Sequence, residues 1–469
     1  MKDYFEIIEA SKEDLLKDLK DLVAIRSVVS EAEGDSPFGK GVQQALDYIL
    51  AKAEADGFVT KNVDNYGAHI DFPGKTDDIC AIVGHLDVVP EGDLSNWNTD
   101  PYDMQLIDGK LFGRGCVDDK GPLMSAYYAM KALKEAGFEP EKTVRIILGC
   151  DEETEWKGME YYMEREKAPV CGFSPDAEFP AIHAEKGLII FDIKKAIDNK
   201  DNAGTKLVSF TGGTVPNAVA DGATAVITSD NLEAVTKVVE KYILDHEFQV
   251  RYEVVEENKA VITVKGISAH GSQPELGVNA ITIMFDILGG ITFNNADVND
   301  AISFYNNYIG FDIHGERIGM CLVDEPSGNL AFNVGVVSLT EDEFVVTVNA
   351  RYPVTFELED VYAGTDKIAA ENGYTVERID FQPPLYKSVD DPLIKTLMAI
   401  YAKHTGDTES KPLVIGGATY ARAVPNTVAF GPVLPGDPDL CHQPNEYIKL
   451  DDLYSSVKIF AEAIYELAK

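Results

Sequence analysis

The 469 residues include 79 acidic and 41 basic side chains, which gives a formal net charge of −38. A surface of this sign repels phosphate backbones and anionic lipids, so neither nucleic acid nor membrane partners are expected. With 45% hydrophobic residues the chain can bury a sizeable core, and its length predicts two or three domains.

The N-terminal residues Met1 to Phe5 lack the basic and apolar regions of a signal peptide. No apolar run reaches the roughly 18 residues that a membrane-spanning helix needs. The six cysteines are scattered without a Cys-x-x-Cys pair, which indicates reduced thiols rather than a disulfide framework. These patterns predict a soluble, cytoplasmic protein.

Two short apolar runs, Ile79 to Val83 and Val144 to Leu148, predict buried strands, and each run is followed by a glycine. A helix is expected between them from Pro122 to Lys134, because proline is favoured in a first helical turn. The succession of strand, helix and strand is typical of a parallel sheet. We therefore expect an α/β domain with a central, mostly parallel sheet flanked by helices.

The pattern changes between residues 188 and 382, where helical stretches alternate with strands of period 2 such as Phe344 to Val348. This texture predicts a separate α+β domain inserted into the first. The first domain would then consist of residues 1–187 and 383–469, and it would end in an amphipathic helix near the C-terminus.

Acidic residues and histidines follow the predicted strands in clusters, and a further histidine lies near the C-terminus. The clusters are His85-Leu86-Asp87, Asp118-Asp119, Asp151-Glu152-Glu153, Pro175-Asp176 and Cys441-His442. Taken singly, each is typical of a helix cap, a turn or a surface pair. In open α/β sheets, however, ligands bind beyond the carboxyl ends of the strands, and imidazole and carboxylate are donors that zinc uses. Their order along the chain therefore indicates a metal site.

These five motifs, in this order, resemble the di-zinc metallopeptidase family of aminoacylases, succinyl-diaminopimelate desuccinylases, carnosinases and glutamate carboxypeptidases. The resemblance runs nearly end to end and is strongest to the bacterial dipeptidase V enzymes. It implies a zinc-peptidase fold with an inserted lid domain. It also implies hydrolysis of small dipeptide substrates with two Zn²⁺ ions, for which Mn²⁺ or Co²⁺ could substitute.

The resemblance implies five metal ligands, which are His85, Asp118, Glu153, Asp176 and His442. Asp118 would bridge the two ions, and Glu152 would be the general base for a hydroxide held between them. Asp87 would hydrogen-bond the far nitrogen of His85 and so fix its tautomer. Neighbouring side chains diverge, so Glu152 and Glu153 should not bind the same ion, although the sequence leaves open that they exchange roles.

Two segments of the insertion extend the resemblance. The segment Gly266 to Pro274 resembles the lid histidine motif of the family, which implies that His270 polarises the scissile carbonyl and stabilises the oxyanion. Asn217 and Arg351 resemble residues that bind the C-terminal carboxylate of the substrate, a role that suits the planar fork of arginine. The plainer alternatives are a loop histidine without a partner and a surface salt bridge of Arg351.

The segment Gly416 to Arg422 resembles the substrate-binding loop of the dipeptidase V enzymes. The residues that it implies for substrate binding are Thr419, Tyr420 and Arg422. Ala418 and Ala421 stand where this resemblance leads us to expect glycine. If the backbone at these two positions needs a positive φ, alanine would give the loop another shape.

Two other functions remain open at this point. An N-acyl-amino-acid deacylase or desuccinylase of the same family would use the same metals and base but would recognise an acyl group instead of a free amine. A metal-dependent binding protein would have kept the fold without catalysis, although Glu152 and all five ligands are present. The large insertion implies a monomer, because enlarged lids of this family close over their own active site.

Overall fold

The computed structural model describes residues 1–198, 204–438 and 440–469. The chain divides into two units, the first formed by residues 1–183 and 387–469 and the second by residues 184–386. In the described part of the chain, no helix has the length and apolar character needed to cross a bilayer.

The first unit combines strands and helices along both of its chain segments. Its strands are Val59–Val63, Gly67–Phe72, Ile79–His85, Gln105–Ile107, Lys110–Phe112, Thr143–Gly149, Cys171–Ser174, Ala177–Glu178, Ala181–Glu185 (which runs on into the second unit), Leu413–Ile415, Thr427–Phe430, Pro432–Val433 and Tyr447–Lys449. Its helices are Tyr4–Ala10, Lys12–Val23, Lys40–Ala55, the 3-10 turn Leu94–Asn96, Lys120–Glu135, Lys157–Met163, Pro392–Thr405 and Leu450–Ala468.

The middle of the main sheet in this unit is parallel. The strands Thr143–Gly149, Ile79–His85, Cys171–Ser174 and Thr427–Phe430 lie side by side in that order, and each pairs in parallel with its neighbour. Ile79–His85 is buried at every residue, as expected of a parallel strand that is covered on both faces. The two predicted apolar runs are therefore adjacent central strands.

The edges of the same sheet are antiparallel. Val59–Val63 and Gly67–Phe72 form a hairpin, and Asp64 and Asn65 in its turn both have positive φ. Such turns match the twist of two antiparallel strands, which is why Asn and Asp are favoured in them. The sheet that was expected to be mostly parallel is thus parallel in its middle and antiparallel at its edges.

The C-terminal helix Leu450–Ala468 packs against the helix Lys120–Glu135 and closes the core of the first unit. Phe460 on this helix is fully buried and lies with its ring 5.3 Å from that of Phe173 and 6.3 Å from that of Phe430. These aromatic side chains bury large apolar areas and dominate the energy of such a core.

The second unit is built on an antiparallel sheet that shares a hydrophobic core with helices. Its strands are Gly187–Ala196, Lys206–Gly212, Gly222–Thr228, Gln249–Glu256, Lys259–Lys265, Val323–Asp324, Gly328–Asn329, Ala331–Leu339, Glu343–Tyr352, Thr375–Gln382 and Leu385–Tyr386. Its helices are Leu232–Asp245, the 3-10 turn Pro274–Leu276, Ala280–Gly289, Ala296–Tyr308 and Leu358–Glu371.

Burial follows the period of 2 that the sequence predicts along only part of this sheet. In Gly222–Thr228, buried and half-buried residues alternate, because only one face of the sheet packs on the hydrophobic core. In Glu343–Tyr352 the alternation ends near Val348, after which every residue is buried. Both faces of the sheet are therefore covered at this end.

We expect Phe460→Ala to lower the free energy of unfolding by about 3–5 kcal/mol, because it leaves a cavity among buried aromatic rings. Leu94, which is 59% exposed, provides the control, since Leu94→Ala should change stability by less than about 0.5 kcal/mol. Urea unfolding followed by circular dichroism measures both values. Equal midpoints for the two variants would contradict this account of the core.

Candidate metal centre

Neighbouring strands bring side chains to one edge of the main sheet in the first unit. His85 is the last residue of the central strand Ile79–His85. Asp176 follows the parallel strand on one side of it and Glu153 follows the parallel strand on the other. Because parallel strands end at the same edge of a sheet, these three side chains meet there.

Two further residues reach this edge from loops. Asp118 lies just before the helix Lys120–Glu135, and its peptide bond to Asp119 is cis. His442 lies before the strand Tyr447–Lys449 and adopts a positive φ of 66°. Neither position belongs to a regular element, so the contacts that hold these loops decide where the two side chains lie.

The five side chains form two clusters that share Asp118. One oxygen of Asp118 lies 3.0 Å from Nε2 of His85, and the other lies 3.2 Å from Nε2 of His442. His85 also lies 3.6 Å from Asp176, and His442 lies 2.9 Å from Glu153. In each cluster of three residues, the possible ligand atoms lie within 4.8 Å of one another. All five residues predicted as metal ligands belong to these clusters.

The donor set fits a pair of divalent cations. Each cluster offers one imidazole nitrogen and two carboxylates, a combination that zinc accepts and that also suits manganese or cobalt. Three protein ligands for each ion leave a position open, which is typical of catalytic rather than structural zinc sites. The residues present therefore fit the metals that the family resemblance implies.

The pKa shifts of the residues in the two clusters also fit a site for cations. Burial, reinforced by the charge of Asp118, raises the pKa of Asp176 to about 6 and that of Glu153 to about 7. Hydrogen bonds to Asp118 and Glu153 raise the pKa of His442 to about 11. The raised pKa values show that the crowded carboxylates stabilise positive charge next to them. A divalent cation bound between the same atoms would supply that charge.

His85 is oriented through its second ring nitrogen, as expected, but by a different atom. Nδ1 lies 2.9 Å from the main-chain oxygen of Asp87 and 3.4 Å from its carboxylate. The carboxylate of Asp87 instead accepts hydrogen bonds from the backbone N–H groups of Glu152 at 3.1 Å and Glu153 at 3.0 Å. Asp87 therefore holds the ring of His85 with its backbone and the turn that carries both glutamates with its side chain.

The two adjacent glutamates have different surroundings. Glu153 contacts His442 and belongs to one of the two clusters of possible metal ligands, whereas Glu152 lies outside both clusters. Burial and the charge of Asp176 raise the pKa of Glu152. The carboxylate of Glu152 is thus close to the two clusters without belonging to either.

Sequence reasoning assigned no role to Glu446, which is fully buried beside the centre. One of its carboxylate oxygens accepts the backbone N–H of Val117 at 2.9 Å, and the other accepts a hydrogen bond from Arg114 at 2.7 Å. Glu446 thereby ties the loop that contains Asp118 to the segment that contains His442. Its only signal in the sequence is its place four residues after His442.

Asp119 is a second acid whose contact was not predicted. Its carboxylate accepts the backbone N–H of His85 at 3.1 Å. The contact explains why Gly84 precedes His85, because a Cβ at Gly84 would lie 2.4 Å from the same carboxylate oxygen. Asp119 and Gly84 therefore fit together and fix the end of the central strand.

A cavity of about 230 Å³ opens beside Asp176, and its walls include Ala418 and Thr419. Arg422 donates to the main-chain oxygen of Gly417 at 3.0 Å and so braces this loop. Neither Ala418 nor Ala421 has a positive φ, so glycine is not required at these two positions.

Tyr420 has surroundings that differ from those expected of a substrate-binding residue. Its side chain is fully buried, and its hydroxyl donates to Asp151 at 2.9 Å. Its ring meets that of His85 edge-on at 6.3 Å. In this structure, Tyr420 therefore packs beneath a proposed metal ligand and does not line the cavity.

The remaining predicted residues belong to the second unit. The backbone N–H of Gly271 donates to the main-chain oxygen of Asn217 at 2.7 Å, so the segments of Asn217 and His270 run together. Nδ1 of His270 lies 2.6 Å from the hydroxyl of Ser272. Arg351 is 4% exposed, and its Nε donates to the side-chain oxygen of Asn349 at 3.0 Å.

Known proteins resemble this chain along nearly its whole length. Residues 81–466 match the family described as "Peptidase family M20/M25/M40". "Putative dipeptidase YtjP" of Bacillus subtilis is 37% identical over 464 residues, which cover 98% of each chain. Another protein described as a putative dipeptidase, from Staphylococcus haemolyticus, is 37% identical over 468 residues, again 98% of each chain.

Two solved structures share the fold. Human carnosine dipeptidase 1 has a TM-score of 0.57 at 16% identity over 99% of each chain. Aminoacylhistidine dipeptidase from Vibrio alginolyticus has a TM-score of 0.58 at 17% identity, over 97% of this chain and 96% of that one. Together with the family match, they confirm the resemblance that the five motifs indicated. The chain belongs to peptidase family M20/M25/M40 and is a hydrolase of peptide bonds.

Proposed function

We propose that this peptidase is a dipeptidase whose active centre is the pair of clusters that share Asp118. The observation that carries the proposal is the geometry of Asp118, which directs one carboxylate oxygen to His85 and the other to His442. The choice of dipeptides follows the names of relatives that are 37% identical over 98% of their length.

The clusters would hold two cations, for which we propose zinc, with manganese or cobalt as substitutes. His85 and Asp176 would complete one site and Glu153 and His442 the other, with Asp118 common to both. When bound, the cations supply positive charge that polarises the scissile carbonyl and acidifies a neighbouring water molecule.

Glu152 would be the general base. Asp87 holds its backbone through the N–H group, and its carboxylate lies outside both ligand clusters, so it remains available for proton transfer. Glu152 would take a proton from the attacking water and deliver it to the amine that leaves. Glu153, which contacts His442, would remain a ligand throughout.

Substrate recognition would be divided between the units. In the second unit, Arg351 and Asn217 would bind the C-terminal carboxylate of the dipeptide, and His270 would donate to the developing oxyanion. In the first unit, the cavity beside Asp176 would receive another part of the substrate, with Thr419 in its wall and Arg422 bracing the loop. We assign Tyr420 a supporting role beneath His85.

The second unit, residues 184–386, would be the lid domain, and its limits lie close to the predicted residues 188 and 382. A lid of this size supports the proposal of a monomer that closes over its own active site. The six cysteines are free in the structure, which supports the proposal of a reducing cytoplasmic location.

Metal content provides the first test. We expect the wild-type protein to retain two divalent cations per chain, His442→Ala one, and Asp118→Ala fewer still, because Asp118 serves both sites. His404→Ala is a matched control, since His404 also contacts a carboxylate, that of Glu462 at 2.7 Å, but lies outside the clusters. Elemental analysis after gel filtration gives these numbers. Two ions retained by His442→Ala would exclude the proposed ligand set.

The role of the base is tested by Glu152→Gln, which keeps the shape of the side chain but removes its basicity. We expect kcat to fall by about 10²–10⁴-fold while metal content stays at the wild-type value. Glu155→Gln, an exposed change three residues away, should leave both quantities unaltered. Turnover of Glu152→Gln near the wild-type rate would show that another group takes the proton.

A substrate panel tests the choice of dipeptides. We expect hydrolysis of Leu-Gly, much slower hydrolysis of Leu-Gly amide, and little release of leucine from N-acetyl-leucine or N-succinyl-leucine. Arg351→Ala should reduce the preference for Leu-Gly over Leu-Gly amide by about 10–100-fold. This factor corresponds to the free energy of a hydrogen bond to a charged group. Arg378→Ala, at an exposed arginine of the same unit, is the control. Faster turnover of the N-acyl compounds than of Leu-Gly would instead identify a deacylase.

A further inference from the structure

The covered end of the sheet in the second unit contains polar side chains where an apolar core would be expected. Asn333 and Asn349 are directly opposite each other on adjacent antiparallel strands, and Arg351 lies two residues beyond Asn349. Opposite residues, and residues two apart, share a face of a sheet, so the three side chains lie together. They are 1%, 0% and 4% exposed respectively.

Asn349 orients Arg351. Its side-chain oxygen accepts the hydrogen bond from Nε of Arg351 at 3.0 Å. A guanidinium group has a fixed planar shape, so fixing Nε also fixes the plane in which its other N–H groups lie. Asn349 therefore fixes the orientation of the Arg351 guanidinium, and its neutral amide adds no negative charge beside it.

Asn333 holds the loop that contains Asn217. Its amide nitrogen donates to the main-chain oxygens of both Pro216 and Ala218, at 2.9 Å each. A Cβ at Gly335 would lie 2.3 Å from the main-chain oxygen of Pro216, so the loop also packs tightly against the strand. Asn333 thus anchors the residues on both sides of Asn217.

The same loop is joined to the segment of His270. Besides the contact between Gly271 and Asn217, the backbone N–H of Val219 donates to the main-chain oxygen of Ala269 at 2.9 Å. Ala218 also forms a bridge with His270. A displacement of the loop at Asn333 would therefore be transmitted to His270.

Each of the two asparagines has one side-chain polar atom without a hydrogen-bond partner, and the two atoms are complementary. Oδ1 of Asn333, an acceptor, and Nδ2 of Asn349, a donor, are both buried without a hydrogen-bond partner. Buried polar groups are costly to leave without partners, and these two belong to directly opposite residues. They are the donor and the acceptor that a hydrogen bond between the two amides would use.

We propose that Asn333 and Asn349 form a pair of positioning residues that sets Arg351, Asn217 and His270 relative to one another. This inference rests on the proposed function, in which those three residues bind the substrate carboxylate and the oxyanion. Asn349 controls the carboxylate-binding end, Asn333 controls the oxyanion-binding end, and a hydrogen bond between the two unpartnered amide atoms would join the two ends.

The experiment compares Leu-Gly with Leu-Gly amide for the metal-loaded variants Asn349→Ala and Asn333→Asp. Asn349→Ala should reduce the preference for the free carboxylate about tenfold and act mainly on KM, because it releases Arg351. Asn333→Asp is nearly isosteric but replaces two N–H donors by an acceptor that repels the Pro216 and Ala218 oxygens. It should lower kcat about tenfold or more, because it releases the segment of His270. Should Asn333→Asp fail to fold, Asn333→Ser, which retains one donor, takes its place.

Asn306→Ala is the matched control, because Asn306 donates to the main-chain oxygen of Phe285 at 2.9 Å within the same unit and should affect stability alone. The double variant of Asn333 and Asn349 should lose less than the product of the two single losses, as expected for a coupled pair. The pairing would be overturned if the folded single variants kept the wild-type kcat, KM and preference for the free carboxylate. It would also be overturned if the loss of activity in the double variant equalled the product of the two single losses. A wild-type enzyme that hydrolyses no dipeptide would overturn the proposed function itself, and the two failures are therefore distinct.

Discussion

Three carboxylates and two imidazoles share one small space at the edge of the first unit's sheet, and the repulsion among the three carboxylates is the constraint that the surrounding structure must satisfy. Two like charges about 4 Å apart repel by roughly 4 kcal/mol at an effective dielectric constant of about 20. Asp118 is the most constrained of these acids, because it contacts both histidines. Cations bound between these atoms would turn the repulsion into attraction, so metal binding and the stability of this edge should be coupled.

A second set of acids holds the first set in place. Asp87 accepts the backbone N–H groups of Glu152 and Glu153, Asp119 accepts that of His85, and Glu446 accepts that of Val117, next to Asp118. Carboxylates make strong, charge-assisted hydrogen bonds to backbone donors, which suits them to fix loops that lack regular secondary structure. The acidic residues of this region thus divide into those that form the two clusters of possible ligands and those that hold the peptide backbone carrying them.

The sequence predicted the elements whose signals are local. The apolar runs beginning at Ile79 and Val144 became adjacent parallel strands, and the ordered motifs placed five side chains in the two clusters. The contacts of the Asp87 carboxylate with the backbone of Glu152 and Glu153, and the role of Glu446, could not be predicted, because they depend on which backbone N–H group a carboxylate reaches once distant segments have met. The edge strands were also missed, since antiparallel pairing follows from a hairpin turn rather than from the composition of the strands.

The burial of Asn333 and Asn349 could not be predicted from the hydrophobic pattern of the sequence. A period of 2 assigns alternate residues of a sheet to the core and to solvent, and by this rule both asparagines belong to the exposed face. They are buried because the loop of Pro216 and Ala218 covers that face, a contact between segments more than 100 residues apart in the chain. An apolar pair would fill the same space, but it would neither anchor the loop nor orient Arg351. Buried polar groups specify one arrangement because few others satisfy their hydrogen bonds, and a substrate-binding surface requires that specificity.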